Sequence, residues 1–231
     1  MFASVINAVA VVLGSLLGLL LRKGISERYQ KVIYSAAGMT SLVIGIQMAL
    51  KTGHILIFAL ALIIGGLLGT WLDIEGAVLR LGERMKRRFA KNDDGGFAYG
   101  FLNASVLYCS GAMAIVGSFK AGTEGDYSII LTKSVLDGFI SIIFASAMGV
   151  GVAFSAISVL VYQGALTLVS VWVKPWVSDI MLSELTGIGG ALVIMIGLGL
   201  LDIKKFKTGD FLPAILVSAL AVLAMPYIPF L

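Results

Sequence analysis

The 231-residue sequence is poor in charge, cysteine and histidine. Asp, Glu, Lys and Arg make up 13% of it, about half the share usual in a soluble domain. With a mean hydropathy of +1.02, that scarcity excludes a soluble globular enzyme, a disordered chain and a nucleic-acid-binding domain. The single cysteine, Cys109, excludes an intrachain disulfide and any thiolate cluster. The single histidine, His54, leaves no histidine pair for zinc or di-iron ligation. No P-loop, G-x-S-x-G or H-E-x-x-H string occurs, and no nucleophile–base pair stands out. Neither a metal nor a cofactor is expected, nor an enzymatic activity. Any energy used would come from a gradient rather than from nucleotide hydrolysis.

What is there is apolar: 59% hydrophobic residues and 28 glycines. About 20 apolar residues span a bilayer as a helix, and the sequence reads as an all-α polytopic membrane bundle forming a single domain over 1–231. Eight candidate spans fall at about 3–21, 32–50, 54–72, 98–118, 128–149, 152–173, 184–201 and 209–229. Residues 134–173 carry one charge, Asp137. As one helix they would be about 60 Å long, against a hydrocarbon core of about 30 Å. The run must fold back, and Gly149-Val150-Gly151 is the expected turn. Met1 to Leu21 has no basic residue before its apolar run and no A-x-A site, so it reads as a retained first span.

The net charge of +4 reports orientation. With eight crossings and both termini outside, the inner side holds Arg22, Lys23, Arg28, Lys31, Arg80, Arg84, Lys86, Arg87, Arg88, Lys91, Lys204, Lys205 and Lys207, most of the 17 basic residues. Residues 73–97 form the one long polar segment. Ile74, Ala77, Val78, Leu81, Met85 and Phe89 recur at helical spacing between charges, as in an amphipathic helix on the membrane face. Its basic side suits anionic lipid; the plainer reading is a solvated connector that anchors topology. Trp71, Trp172, Trp176 and Tyr227 sit near span ends as interface anchors.

Gly38–Gly45 in the second span resembles Gly190–Gly197 in the seventh, and those spans run in opposite directions. Spans 1–3 and 6–8 are therefore a candidate inverted repeat around spans 4 and 5. The glycine faces also suit a homodimer.

Asp137 lies about nine residues, or roughly 13 Å, into the fifth span. An acid there is costly, by about 2.5–3.5 kcal/mol on insertion scales, and normally faces a cavity or a partner. Lys133, one turn outward, could neutralise it or snorkel to the headgroups. Lys before Asp is the weaker order, and a cation near a helix N-terminus opposes the dipole. A ligand anion or a further acid (Glu124, Asp126 or Glu184) would answer that conflict. In the fourth span Asn103, Ser105, Tyr108, Cys109 and Ser110 precede Gly111 and Gly117, which permit either close packing or a broken helix. Tyr162 and Gln163 lie near the centre of the sixth, and Gln163 could pair with Asp137. Asn7, Gln47, Ser141, Ser155, Ser158 and Thr167 read as interhelical glue. Glu184 opens the seventh span, where an acid suits the helix dipole.

The strings Tyr108–Ser118, Lys133–Gly138, Ala145–Val152, Tyr162–Gly164 and Leu212–Ala214 resemble the YqgA/YdfK-like family of prokaryotic membrane proteins, a domain of unknown function. The likeness runs along most of the chain and is densest over 100–170. It implies a multi-span protein of the prokaryotic inner membrane and carries no binding residues with it. The residues themselves favour gradient-driven transport of a small ion or polar solute through spans 4–6, with Asp137, Lys133, Gln163, Tyr162, Asn103 and Ser110 as binding groups. A passive channel and a non-transporting scaffold or regulator are the alternatives.

Overall fold

A computed structural model describes residues 2–22, 27–77, 79–80, 84, 96–109, 112–173 and 176–225. Ser110, Gly111 and most of the amphipathic run at 73–97 lie outside the described residues. Among the described residues the fold is all-helical: α1 (Phe2–Arg22), α2 (Glu27–Ala49), α3 (Ile55–Trp71), α4 (Phe97–Cys109), α5 (Ala112–Thr123), α6 (Ser128–Met148), α7 (Gly151–Val173), α8 (Asp179–Leu200), a 3-10 turn (Thr208–Phe211) and α9 (Pro213–Ala224).

Five of these, α1, α2, α6, α7 and α8, are long and apolar enough to cross a membrane. A sixth crossing results if α4 and α5, whose axes differ by 60°, make one broken span. The third and eighth expected spans are shorter apolar helices. α3 has 17 residues, about 26 Å at the helical rise, and Asp73 just beyond it has a left-handed φ of 49°. The count is thus five or six by length, rather than eight.

The bundle is inside-out relative to a soluble protein. Leu13, Leu20, Leu67, Phe139, Leu168 and Leu216 point outward, while Asn7, Ser15, Ser134, Ser155 and Gln163 are buried. An apolar belt of that size is covered by lipid, not water. The exposed Trp71, Trp172 and Trp176 near helix ends fit the interface. The turn between α6 and α7 falls at Gly149, whose φ of 85° is a conformation that glycine adopts without a Cβ clash.

Packing divides the helices into two groups. In the first, α1 lies along α6, and α7 lies along α1, α4 and α5. Gly14 faces Gly138 and Gly18 faces Ile142 and Ala145, so α1 and α6 run parallel. A Cβ on Gly14 would sit 2.1 Å from the Gly138 carbonyl oxygen, so only glycine permits this approach. In the second group α2 lies along α8, and α3 along α9. Gly38 faces Gly197 and Gly45 faces Gly190, so the two similar glycine segments meet each other antiparallel. α3 and α9 are also antiparallel, with Gly65 against Ala214 and Gly69 against Asp210. α1 and α7 meet at Asn7 and Gln163. The three helix pairs of the expected repeat, α1 with α7, α2 with α8 and α3 with α9, are thus each in contact. Between the groups, α2 touches α6, and α4 and α5 touch α8, more sparsely.

Candidate functional site

The first group holds a buried polar cluster. α6 is regular through Lys133, Asp137 and Ser141, and the four-residue spacing stacks their side chains on one face. That face is turned inward by the glycine contact with α1. Asp137 is 4% exposed and Lys133 6%. Lys133 Nζ donates to Asp137 Oδ2. Asn7 Nδ2, from α1, donates to the same oxygen at 3.0 Å and to Gln163 Oε1 of α7 at 3.2 Å. Tyr108 of α4 places its hydroxyl 2.7 Å from Ser141 Oγ, and Ser141 donates to the Asp137 carbonyl at 2.7 Å. The Lys133 ammonium lies 5.7 Å from the Tyr108 ring centroid, within cation–π range. α6 and α1 supply the partners of the carboxylate itself, and α7 and α4 join the cluster through Asn7 and Ser141.

The cluster is not saturated. Asn7 Oδ1 and Gln163 Nε2 are buried with no hydrogen-bond partner. One is an acceptor on Asn7, which bonds Asp137, and the other a donor on Gln163, which bonds Asn7. Each such atom costs about 1–3 kcal/mol when left unpaired out of water.

A cluster of this kind across the whole bundle invites comparison with known proteins. The family described as "Protein of unknown function (DUF554)" matches residues 2–223. The chain belongs to this family. DUF554 relatives include the "Uncharacterized membrane protein YdfK" of Bacillus subtilis (strain 168), 33% identical over 228 residues and 96% of both chains. The "Uncharacterized protein YqgA" of Escherichia coli (strain K12) is 32% identical over 217 residues and 92% of both. No solved structure matches the chain. In this DUF554 protein the membrane reading of the sequence therefore agrees with a relative's printed name and with the apolar helices.

The remaining sequence candidates lie elsewhere. Asn103 lines a cavity of about 420 Å³ together with Tyr34, Glu75, Tyr99, Ile196 and Lys207, and its Nδ2 lies 3.6 Å from Met148 Sδ. Tyr162 lines a second cavity, of about 370 Å³, with Ser105, Cys109, Ser158 and Ile215. Neither cavity has Asp137 or Lys133 in its wall. Gln163 joins Asp137 only through Asn7. Asn7, Tyr108 and Ser141, read from sequence as glue or passed over, are the residues that complete the cluster. The signal was in α1: Ala3, Asn7, Val11, Gly14 and Gly18 share a small-residue face, and Asn7 is its one amide.

Glu184 does not approach Lys133. Its carboxylate, fully buried, accepts from Thr52 Oγ1, from Gly53 N at 2.7 Å and from His54 N at 2.9 Å. His54 Nδ1 is 3.4 Å away. Asp126 faces Lys120 at 3.8 Å and accepts from Ser128 N at 2.9 Å; the Ser128 bonds hold its carboxyl below the usual range, with Lys120 adding to them. At the opposite end of the bundle, Glu75 and Asp210 are both buried. Glu75 N donates to Asp210 Oδ1 at 2.9 Å, and Gly209 N donates to Glu75 Oε2 at 2.7 Å. Burial pushes the Glu75 carboxyl up, the Gly209 bond opposes this, and the Asp210 charge adds to it. Among the described residues no three His, Cys, Asp or Glu side chains gather as a metal site.

Proposed function

We propose that this protein is a secondary transporter of a small ion or polar solute in the prokaryotic inner membrane, coupled to protons through Asp137. The observation that carries the reading is the pairing of a buried Lys133–Asp137 contact with an orphaned donor and acceptor, Gln163 Nε2 and Asn7 Oδ1. Buried hydroxyls of Ser4, Ser15, Ser118 and Ser218 also lack partners; the open valences at Asn7 and Gln163 stand out because both side chains belong to the hydrogen-bonded chain that ends on the ion pair. A water, ion or polar solute supplies the missing bonds. Protonating Asp137 weakens its hold on Lys133 and frees Asn7 to turn; deprotonation restores the closed contact. A solute that binds one of these states better shifts the population between them. No covalent chemistry is involved, and Lys133 serves as the counter-charge that keeps the empty state neutral.

The test uses purified protein in liposomes, with an internal pH dye and an imposed gradient of candidate amino acids or inorganic ions. A solute-dependent proton flux is expected, and Asp137→Asn abolishes it. A confirmed flux that Asp137→Asn leaves unchanged at every pH overturns the assigned role. One observation favours a second reading, a scaffold: the Asp137 contact is closed, and both cavities are lined by other residues. That reading predicts no flux for any solute and a stable protein partner after mild detergent extraction.

A further inference from the structure

The two cavities share a wall. Both lie between the two helix groups, stacked along α4 and α8. The larger reaches Tyr99 and Asn103 on α4 and Ile196 to Leu200 on α8, at the end of the bundle that carries Lys205 and Lys207. The smaller reaches Ser105 to Cys109 on α4 and Leu185 on α8, farther along the same two helices in the other direction. Leu102 lines both.

We propose that these cavities are the two halves of one solute route between the helix groups, closed at Leu102; as a transport route it rests on the reading above. Leu102 is 3% exposed and packs in a small cluster with Val106 of α4 and Leu192 and Ile196 of α8. Around it, Met195 and Leu200 face the larger cavity, and Leu212 and Ile215 the smaller. Phe211 also packs against it; the barrier is apolar throughout, and a narrow apolar neck of this kind excludes water and polar solutes. Polar groups return on either side: Asn103 and Lys207 toward one end, and Ser105, Ser158 and Tyr162 toward the other.

The neck also lies at one of the sparse contacts between the two groups. Each helix group is locked internally by glycine contacts, Gly14 with Gly138 in one and Gly45 with Gly190 in the other. The α4–α8 contact that holds Leu102 against Ile196 is sparser. A shift of one group against the other would part those two residues, and would also slide Ala37 and Val193 along the core they share with Val11, Ala104 and Phe144. The Asp137 cluster is wired to the neck. Cys109 is in the cavity wall, and its neighbour Tyr108 turns the other way to reach Ser141, which bonds the Asp137 carbonyl.

Cys109 is the sole cysteine, so the native chain carries its own probe of the smaller cavity. A thiol reacts as the thiolate, in water, and burial disfavours that form. Sealed right-side-out and inside-out vesicles are therefore treated at alkaline pH with a membrane-impermeant methanethiosulfonate, renewed until labelling stops rising. Native Cys109 is expected to be labelled from one side only, and Asn103→Cys in a Cys109→Ala background from the opposite side. Leu102→Ala, or Ile196→Ala as a second variant, should raise Cys109 labelling from the Asn103 side by about tenfold, the change produced by roughly 1.4 kcal/mol of lost seal. Labelling of both positions from the same side, or of Cys109 from neither, overturns the route. So does a folded Leu102→Ala and Ile196→Ala pair in which Cys109 stays strictly one-sided. Opposite-sided labelling without any flux keeps the route and removes transport. An Asp137-dependent flux with same-sided labelling keeps transport and removes the route.

Discussion

Among the buried carboxylates of this bundle, Glu184 and Asp137 are held in different ways. Glu184 sits in the first turns of α8, where the helix dipole favours an acid. Its oxygens are taken up by the Thr52 hydroxyl and by two consecutive backbone N–H groups of the α2–α3 turn. The turn is thereby tied to the helix that α2 packs on. Asp137 sits mid-helix, balanced by a lysine in the less favourable order and by one amide, and the atoms left over belong to that amide and to Gln163, which bonds it. Burial alone therefore does not separate a structural acid from a working one. On the proposed reading saturation does: the Glu184 oxygens are taken up by three donors, whereas Asn7 Oδ1 and Gln163 Nε2 beside the Asp137 pair have no partner.

The largest effect expected from breaking this contrast is at the Asp137 pair. Asp137→Ala strands Lys133 without a counter-charge, at a cost of about 3–5 kcal/mol, read as a lower unfolding midpoint in detergent. The double variant Lys133→Met, Asp137→Leu recovers most of that stability, because two apolar side chains replace an ion pair that was costly to desolvate. Flux stays at zero in both. A double variant that transports normally would make the pair glue, and Asp137 no different from Glu184.

A smaller effect is expected at Glu184. Glu184→Gln keeps an acceptor for one backbone N–H but loses the charge that binds three donors, at a cost of about 1–3 kcal/mol. Thermal unfolding reads that loss, while flux per folded molecule is unchanged. If flux disappears from a protein that remains folded, the α2–α3 turn belongs to the mechanism and the contrast fails.

Much of the fold was legible in advance, for identifiable reasons. The α6–α7 turn followed from length alone: a run with one charge was twice too long for the bilayer, and Gly149 was there to reverse it. The likeness of Gly38–Gly45 to Gly190–Gly197 was legible as a candidate repeat; that the two segments pack on each other was not, because a small-residue face does not name its partner. Nor was the number of spans. Hydropathy reads composition, and residues 54–72 are apolar enough to count as a span, while α3, ending at Trp71, is at the short limit of crossing length, so length alone leaves eight unconfirmed. The site was legible in part. Its expensive residue, Asp137, was identified by cost. Which neighbours it meets depends on the rotation of each helix. Tyr162 and Gln163 are adjacent in sequence but about 100° apart around α7; one faces a cavity and the other faces Asn7. Asn103 and Tyr108 are likewise on different faces of α4. A polar residue in an apolar span marks a depth, and only packing gives it a direction.

That directionality sets the last and smallest test, at Gln163. Its Oε1 accepts one bond from Asn7, while its Nε2 has none. Gln163→Met preserves chain length, removes the orphaned donor and forfeits the 3.2 Å bond. These opposed changes nearly cancel, so stability should move by less than about 1 kcal/mol in either direction. Asn7 retains Asp137 as a partner, and the cluster keeps its shape. If the orphaned donor exists to meet a solute, flux falls in Gln163→Met although the protein is as stable as before. If the amide is only glue between α1 and α7, the opposite holds: the unfolding midpoint drops and the flux of the surviving protein does not. Stability and flux measured on the same preparation decide between these outcomes, because a packing role and a solute-binding role move them in opposite ways.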